Sequence, residues 1–421
     1  MNPPQSLAEW LAFVEHQHVR PIDLGLDRVA KVRDRLGLKI TAPVIIVGGT
    51  NGKGSTCAML ECILGCAGYR TGLYTSPHLV RYNERVRVEN RDVPDELLAA
   101  AFARVEAARG DVPLTYFEFG TLSAMCVFAD ANLDAIILEV GLGGRLDAVN
   151  VFEPDCSIVT GVAMDHMDYL GDTREKIGFE KAGIYRAGKP AICSDPQPPQ
   201  SLLDHAAAID ADLRRIGHEF GYSGDRQQWN WWGRAQRRSG LAYPALRGAN
   251  QLLNASGALA ALEALADRLP VTMQAVREGL LKVELTGRFQ TLPGRPTVIL
   301  DVAHNPQAAG VLAENLSNMG YAPETYAVVG MLADKDIEGS VRLLDRRVDH
   351  WIAVGLEGPR ALSSEAMAER LRAAGVKGDV ASASSPRLGL AAARERAEPD
   401  DRIIVFGSFL TVADVLPVAD A

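Results

Sequence analysis

The stretch "VIIVGGTNGKGSTCAML", Val44 to Leu60, passes from a β-branched apolar run through glycines into a helix-like apolar pattern. This is the layout of a phosphate-binding loop, in which backbone N–H groups curve around an anion and the positive end of a new helix points at it. The general pattern is G-x-x-x-x-G-K-[ST]. Gly48, Gly52 and Lys53 supply its main parts, but Gly48 lies one residue too close and Gly54 intervenes before Ser55. Lys53 is placed to reach a terminal phosphate, and the loop reads as a nucleotide triphosphate site whose magnesium hydroxyl is unassigned. The plainer alternative is a glycine-rich strand-to-helix turn.

Around that loop the chain has 421 residues, 47% of them hydrophobic, enough for a large core and more than one domain. A formal charge of −9 argues against nucleic acid as a partner. The six cysteines form no C-x-x-C pair and sit in apolar or helical contexts, as reduced thiols do, which places the chain in the cytoplasm. No run approaches the ~18 apolar residues of a membrane span, and the amino terminus reads as a helix capped by Ser6 and Glu9 instead of a leader.

Short apolar runs alternate with helical patterns. "PVIIVGG" (43–49), "GLYTS" (72–76), "AIILEVG" (135–141), "CSIVTGVA" (156–163) and "PAICS" (190–194) form one series. "TVILDVAHNP" (297–306), "TYAVVGML" (325–332), "HWIAVGL" (350–356) and "RIIVFGSF" (402–409) form another. Such alternation predicts an α/β fold: a P-loop NTPase-like, mostly parallel sheet, then a smaller Rossmann-like domain. The Gly- and Pro-containing segment near Thr286 separates domains 1–286 and 287–421, and a helix is expected from about Asn254 to Leu269. The Trp-rich segment 225–240 reads as a hairpin packed on the sheet.

Ligands of open parallel sheets bind beyond the carboxyl ends of the strands. Collecting the residues found there gives Ser76 and His78, then Glu139, then Asp165 and His166, a set of hydroxyl, carboxylate and imidazole that could share a cation with phosphate oxygens. Ser76 could equally start a helix, and His166 could be a turn residue. Lys181, in "FEKAGIY", reads by itself as a solvated helix charge. Asp301, His304 and Ser408 follow strands of the second series, either as site or as turn residues.

The strings "GTNGKGS", "TSPHLVRYNERVRV", "TYFEFGTL", "LEVGLGGRLDAVN", "DHMDYLG", "EKAGI", "GRFQ", "DVAHNP" and "GSF" closely resemble the folylpolyglutamate synthase family, within the wider Mur ligase group. They are most similar to its bacterial bifunctional dihydrofolate synthase members, from near Ile22 to the carboxyl terminus. The shifted "GKGS" is that family's own form of the loop. The resemblance implies that Thr50, Asn51, Gly52 and Lys53 bind phosphates, and that Asn250, Arg288 and Asp301 contact ATP from the far side. It implies that Ser76, Glu139 and His166 hold magnesium. It further implies that Lys181 is carbamylated beside a second magnesium ion. Asp23, Leu24, Gly25 and Leu26, with Thr115, Tyr116, Phe117 and Glu118 and with Leu146, Asp147 and Ala148, match the pterin-substrate pocket. His304 and Ser408 match positions that handle glutamate. Met167 stands where a smaller residue is expected. The implied enzyme is an ATP-dependent ligase that joins L-glutamate to dihydropteroate and to reduced folates through an acyl phosphate. It is expected to act as a monomer, with no nucleic-acid or membrane partner. A folylpolyglutamate synthase without the dihydropteroate activity is the alternative.

Overall fold

In the computed structural model, which describes residues 4–18, 22–225, 227–248 and 250–416, the strand before the phosphate loop lies inside an eight-stranded sheet. Its strands are β1 (Val44–Gly48), β2 (Thr71–Tyr74), β3 (Val86–Val88), β4 (Arg91–Asp92), β5 (Ala135–Glu139), β6 (Cys156–Val159), β7 (Pro190–Cys193) and β8 (Asp212–Arg215). They run in the order β4-β3-β2-β5-β1-β6-β7-β8. All pairings from β2 to β8 are parallel, and β3 and β4 add an antiparallel edge. The apolar runs of β1, β5 and β6 are buried on both faces, as strands covered by helices must be. Val47 pairs with Glu139 and Gly48 with Val159, so the segments that leave β1, β5 and β6 emerge side by side at one end of the sheet.

The Trp-rich segment is one part of a separate three-stranded antiparallel sheet, β9 (Gly221–Gly224), β10 (Trp229–Trp232) and β11 (Arg237–Leu241). The expected hairpin is therefore a three-strand unit. Trp229 and Trp231 are buried, and the Trp231 indole N–H donates to the Ser256 carbonyl of the helix Gln251–Ala264, at 3.3 Å. The amino-terminal helix Leu7–Glu15 begins as its sequence predicts, with the Ser6 hydroxyl and Glu9 carboxylate exchanging backbone N–H groups in a capping box.

The second sheet contains β12 (Gln290–Leu292), β13 (Thr297–Asp301), β14 (Thr325–Val329), β15 (His350–Val354), β16 (Asp379–Ala383) and β17 (Arg402–Phe406). Their order is β12-β13-β17-β14-β15-β16, with only β12 antiparallel. Two compact units result: 1–245 with 252–283, and 246–251 with 284–421. Each has its own core, around Tyr74, Phe102 and Phe119 in the first and Trp351, Phe406 and Leu344 in the second.

Candidate active site

The loop after β1 is braced on three sides. Thr50 donates its N–H to the Gly161 carbonyl at 2.7 Å, and its hydroxyl exchanges hydrogen bonds with the Ala163 backbone. The Thr160 hydroxyl donates to the Asn51 carbonyl at 2.7 Å. Gly49 has φ 141°, and a Cβ there would lie 1.9 Å from the Thr160 Oγ1; Gly52 has φ 89°, and a Cβ there would lie 2.4 Å from Asn254 Oδ1. Both positions therefore need glycine for conformation and for space. The helix Lys53–Cys66 starts directly behind, so Gly54 and Ser55 are already in its first turn, with Ser55 buried. Lys53 Nζ donates to the carbonyls of Gly49 at 3.1 Å and Thr50 at 3.2 Å, which holds its charge over the loop. Thr160 and Asn254 are functional supports that no motif announces.

At the neighbouring strand ends, Glu139 closes β5 nearly buried and its carboxylate accepts the Ser76 N–H at 3.1 Å. His166 has φ 50°, an uncommon left-handed conformation for a bulky residue, and caps the short helix Met167–Leu170 where the sequence reading has a loop. Its N–H reaches the Asp165 carboxylate at 2.9 Å. Met167 is 52% exposed, so its size meets no obstacle.

Lys181 departs from the ordinary reading of a helix lysine. It is only 3% exposed, in the helix Arg174–Ala182. Burial, helped by the nearby Lys53 charge, brings its amine down to about 7, while Asp165 and Asp147 pull the other way. Asp147 is itself buried, which raises its carboxyl to about 7 although it accepts backbone N–H groups from Gly141, Leu142 and Val149. Among the described residues no three His, Cys, Asp or Glu side chains are grouped to hold a metal. The hydroxyl, single carboxylate and imidazole of Ser76, Glu139 and His166 suit a magnesium ion that keeps water and takes phosphate oxygens, which normally uses only one or two protein carboxylates.

The three segments expected to form the acyl-substrate pocket are joined through side chains. Arg28 donates to the Asp23 carboxylate at 2.6 Å, to the Asp23 carbonyl at 2.7 Å and to Glu118 at 3.1 Å. Leu24, Gly25 and Leu26 lead from there, half-buried, into the helix Asp27–Leu36. Thr115 and Glu118 form a capping box for the helix Tyr116–Asp130, a local job visible in the T-x-x-E spacing. The Phe117 ring lies against Gly141, where a Cβ would meet it at 2.7 Å, and Asp147 binds the Gly141 N–H. Leu146 and Ala148 flank that aspartate, with Ala148 buried. Arg28 is the residue sequence reasoning missed here.

Beside this pocket Arg85 Nε donates to His78 Nδ1 at 2.8 Å, and its guanidinium lies 5.4 Å from the ring centres of both Tyr82 and Tyr116. Burial and the Arg85 charge lower His78 to about 4, so its imidazole is neutral.

In the second unit, Asp301 ends β13 and its carboxylate accepts the N–H groups of Phe289 at 2.9 Å and Ala303 at 2.8 Å. Burial nevertheless raises its carboxyl. Arg288 stacks over the Phe409 ring at 5.0 Å, and the His304 ring lies 6.3 Å from the same ring. His304 Nδ1 hydrogen-bonds the Val302 carbonyl at 2.8 Å. Ser408, buried, caps the helix Phe409–Val415 through the Thr411 N–H. Asn250 lies half-buried in the turn before the helix Gln251–Ala264. Phe409, which gathers Arg288 and His304, is legible only as an apolar residue after "GS".

Residues 47–219 match the Mur ligase middle domain, and residues 287–409 match the Mur ligase glutamate ligase domain. The dihydrofolate synthase/folylpolyglutamate synthase of Escherichia coli (strain K12) is 46% identical over 416 residues, 99% of this chain and 96% of that protein. E. coli FolC in complex with DHPP and ADP has a TM-score of 0.93 at 46% identity, over 98% of this chain and 97% of that one. A bifunctional folylpolyglutamate synthase/dihydrofolate synthase with Mn, AMPPNP and L-glutamate bound has a TM-score of 0.90 at 45% identity, over the same shares of the two chains. The chain therefore belongs to the dihydrofolate synthase/folylpolyglutamate synthase family of Mur-type ligases.

Proposed function

We propose that this chain is an ATP-dependent acid–amino-acid ligase that adds L-glutamate to dihydropteroate and to the glutamate tail of reduced folates. The observation that carries the reading is the likeness over nearly the whole chain to enzymes of that name, including one solved with ADP and DHPP and one with L-glutamate. A carboxylate is a poor acyl donor. The γ-phosphate of ATP converts it to an acyl phosphate, whose carbonyl the glutamate amine attacks, releasing phosphate.

In this scheme the backbone N–H groups of Asn51 to Ser55 cradle the phosphates while Thr50 braces the loop against Gly161, and Lys53 exchanges its two carbonyl contacts for phosphate oxygens as charge moves onto the leaving ADP. Ser76, Glu139 and His166 would hold magnesium, which neutralises phosphate charge when bound. We assign Lys181 a carbamate: an amine lowered to about 7 is half deprotonated at neutral pH, and only the neutral amine adds carbon dioxide. The segments around Asp23, Phe117 and Asp147 take the pterin end of the substrate. To the second unit we assign the remaining roles, nucleotide contacts for Asn250, Arg288 and Asp301 and glutamate handling for His304 and Ser408. The six cysteines, all free thiols, support a place in the cytoplasm.

The test is ADP release with dihydropteroate and then with tetrahydrofolate, each with and without L-glutamate. Glutamate-dependent release with both acids is expected. Release with tetrahydrofolate alone would reduce the activity to folylpolyglutamate synthesis.

A further inference from the structure

Arg85 is an arginine without an acid. Among the described residues it makes no ion pair, although a half-buried guanidinium normally keeps one. The carboxylate next to it in sequence is unavailable: Glu84 accepts the backbone N–H groups of Leu79, Val80 and Arg81, at 2.7 Å each. The Nε–H instead donates to a histidine nitrogen, and two tyrosine rings flank the guanidinium. Ring faces orient a cation without cancelling its charge. An imidazole nitrogen that accepts the Nε–H adds no negative charge either, and among the described residues the terminal N–H groups make no hydrogen bond to protein.

Position separates this charge from the phosphate loop. Tyr74 pairs with Val86 in the antiparallel β2–β3 ladder, and the Thr75 N–H donates to the Arg85 carbonyl at 2.9 Å. Arg85 therefore stands at the same end of the sheet as Ser76 and Glu139. The order β3-β2-β5-β1 puts its strand three places from β1, roughly 14 Å at ~4.8 Å per strand. Across that gap the acid's carboxylate must still meet the γ-phosphate, so Arg85 stands on the acid's side of the transfer and Lys53 on the phosphate's. Tyr116, against which the guanidinium lies, begins the helix that carries Phe117 and Glu118.

We propose that Arg85 binds the carboxylate of the acyl substrate, with His78 as the positioning residue that fixes the guanidinium plane. The inference rests on the ligase reading and deepens it by naming the group that recognises the acid. Two carboxylates share this chemistry: the aromatic one of dihydropteroate, and those on the glutamate tail of a reduced folate.

The test compares wild type, Arg85→Gln, Arg85→Lys and His78→Asp in the full chain, measuring kcat and KM for dihydropteroate, tetrahydrofolate and ATP. Arg85→Gln should raise the KM for the acids about tenfold or more while the KM for ATP stays within about twofold. Arg85→Lys should recover part of the loss. His78→Asp keeps the arginine but gives it an internal carboxylate, and should raise the same KM. It reads the proposal independently if Arg85→Gln fails to fold. A rise for both acids assigns the carboxylate they have in common, and a rise for tetrahydrofolate alone assigns one on its tail; either supports the proposal. Unchanged KM for both acids in Arg85→Gln, with wild-type turnover intact, overturns it and leaves the ligase reading standing. A wild type without glutamate-dependent ADP release overturns both.

Discussion

A lysine amine enclosed by protein beside a second lysine must lose its proton or gain negative charge. Lys181, 3% exposed and close enough to feel Lys53, is in that position. Carbamylation would resolve it by turning a buried cation into an anion. With 13C-labelled bicarbonate, the wild type should show a carbamate carbonyl resonance that Lys181→Ala lacks. That variant should lose roughly a hundredfold in turnover, the size of a lost transition-state charge contact, while still binding ADP. A variant with normal turnover, or a wild type without the resonance, would remove the assignment. The lysine also marks a limit of sequence reading. "FEKAGIY" is as compatible with an exposed helix face as with a buried one, and it is the folded chain, in which Ile177, Gly178 and Lys181 are buried, that shows which face turns inward.

Glu61 joins two elements that serve the site, the helix Lys53–Cys66 behind the phosphate loop and the strand β3 that follows Arg85. Its side chain is 1% exposed and pairs with Arg87 at 3.1 Å, leaving Oε1 without a partner. Burial outweighs the arginine and raises the carboxyl to about 7 from 4.5. The folded chain thus holds this proton more tightly than the unfolded chain. The stability so gained is full below about pH 4.5 and is lost as the pH rises through about 7. By linkage the difference is at most about 3 kcal/mol. Glu61→Gln cannot ionise, so denaturant unfolding of the first unit should fall less between pH 5 and pH 8 than in wild type. Equal slopes in the two proteins would show that the carboxyl titrates normally. Strands buried on both faces, such as β1, β5 and β17, announce themselves by unbroken apolar runs. The edge strands β8, "DLRR", and β16, "DVASA", do not, because their charged and small residues carry no burial pattern. Glu139, Asp301 and Ser408 are legible because they end or follow readable strands, and the family strings then give them roles. Thr160, Asn254, Arg28 and Phe409 act through contacts between distant segments, which no local pattern encodes.

The whole molecule is two units, but the chain passes between them three times, because residues 246–251 fold with the second unit while their neighbours on both sides fold with the first. In that segment Gly248 has φ 130°, and any Cβ would come within 2.9 Å of the Asn315 amide on the helix Pro306–Asn318. A nick after Val283 therefore does not part the units cleanly: the first fragment leaves carrying a piece of the second. Separately expressed fragments 1–283 and 284–421 should behave as bait and receptor, and co-purify through that hexapeptide. Gly248→Val, which fills the space at Asn315, should weaken the pairing, and equal recovery with and without it would show that the segment contributes nothing. The enzyme is in this sense already a split protein, with its complementation tag written into the middle of the longer fragment.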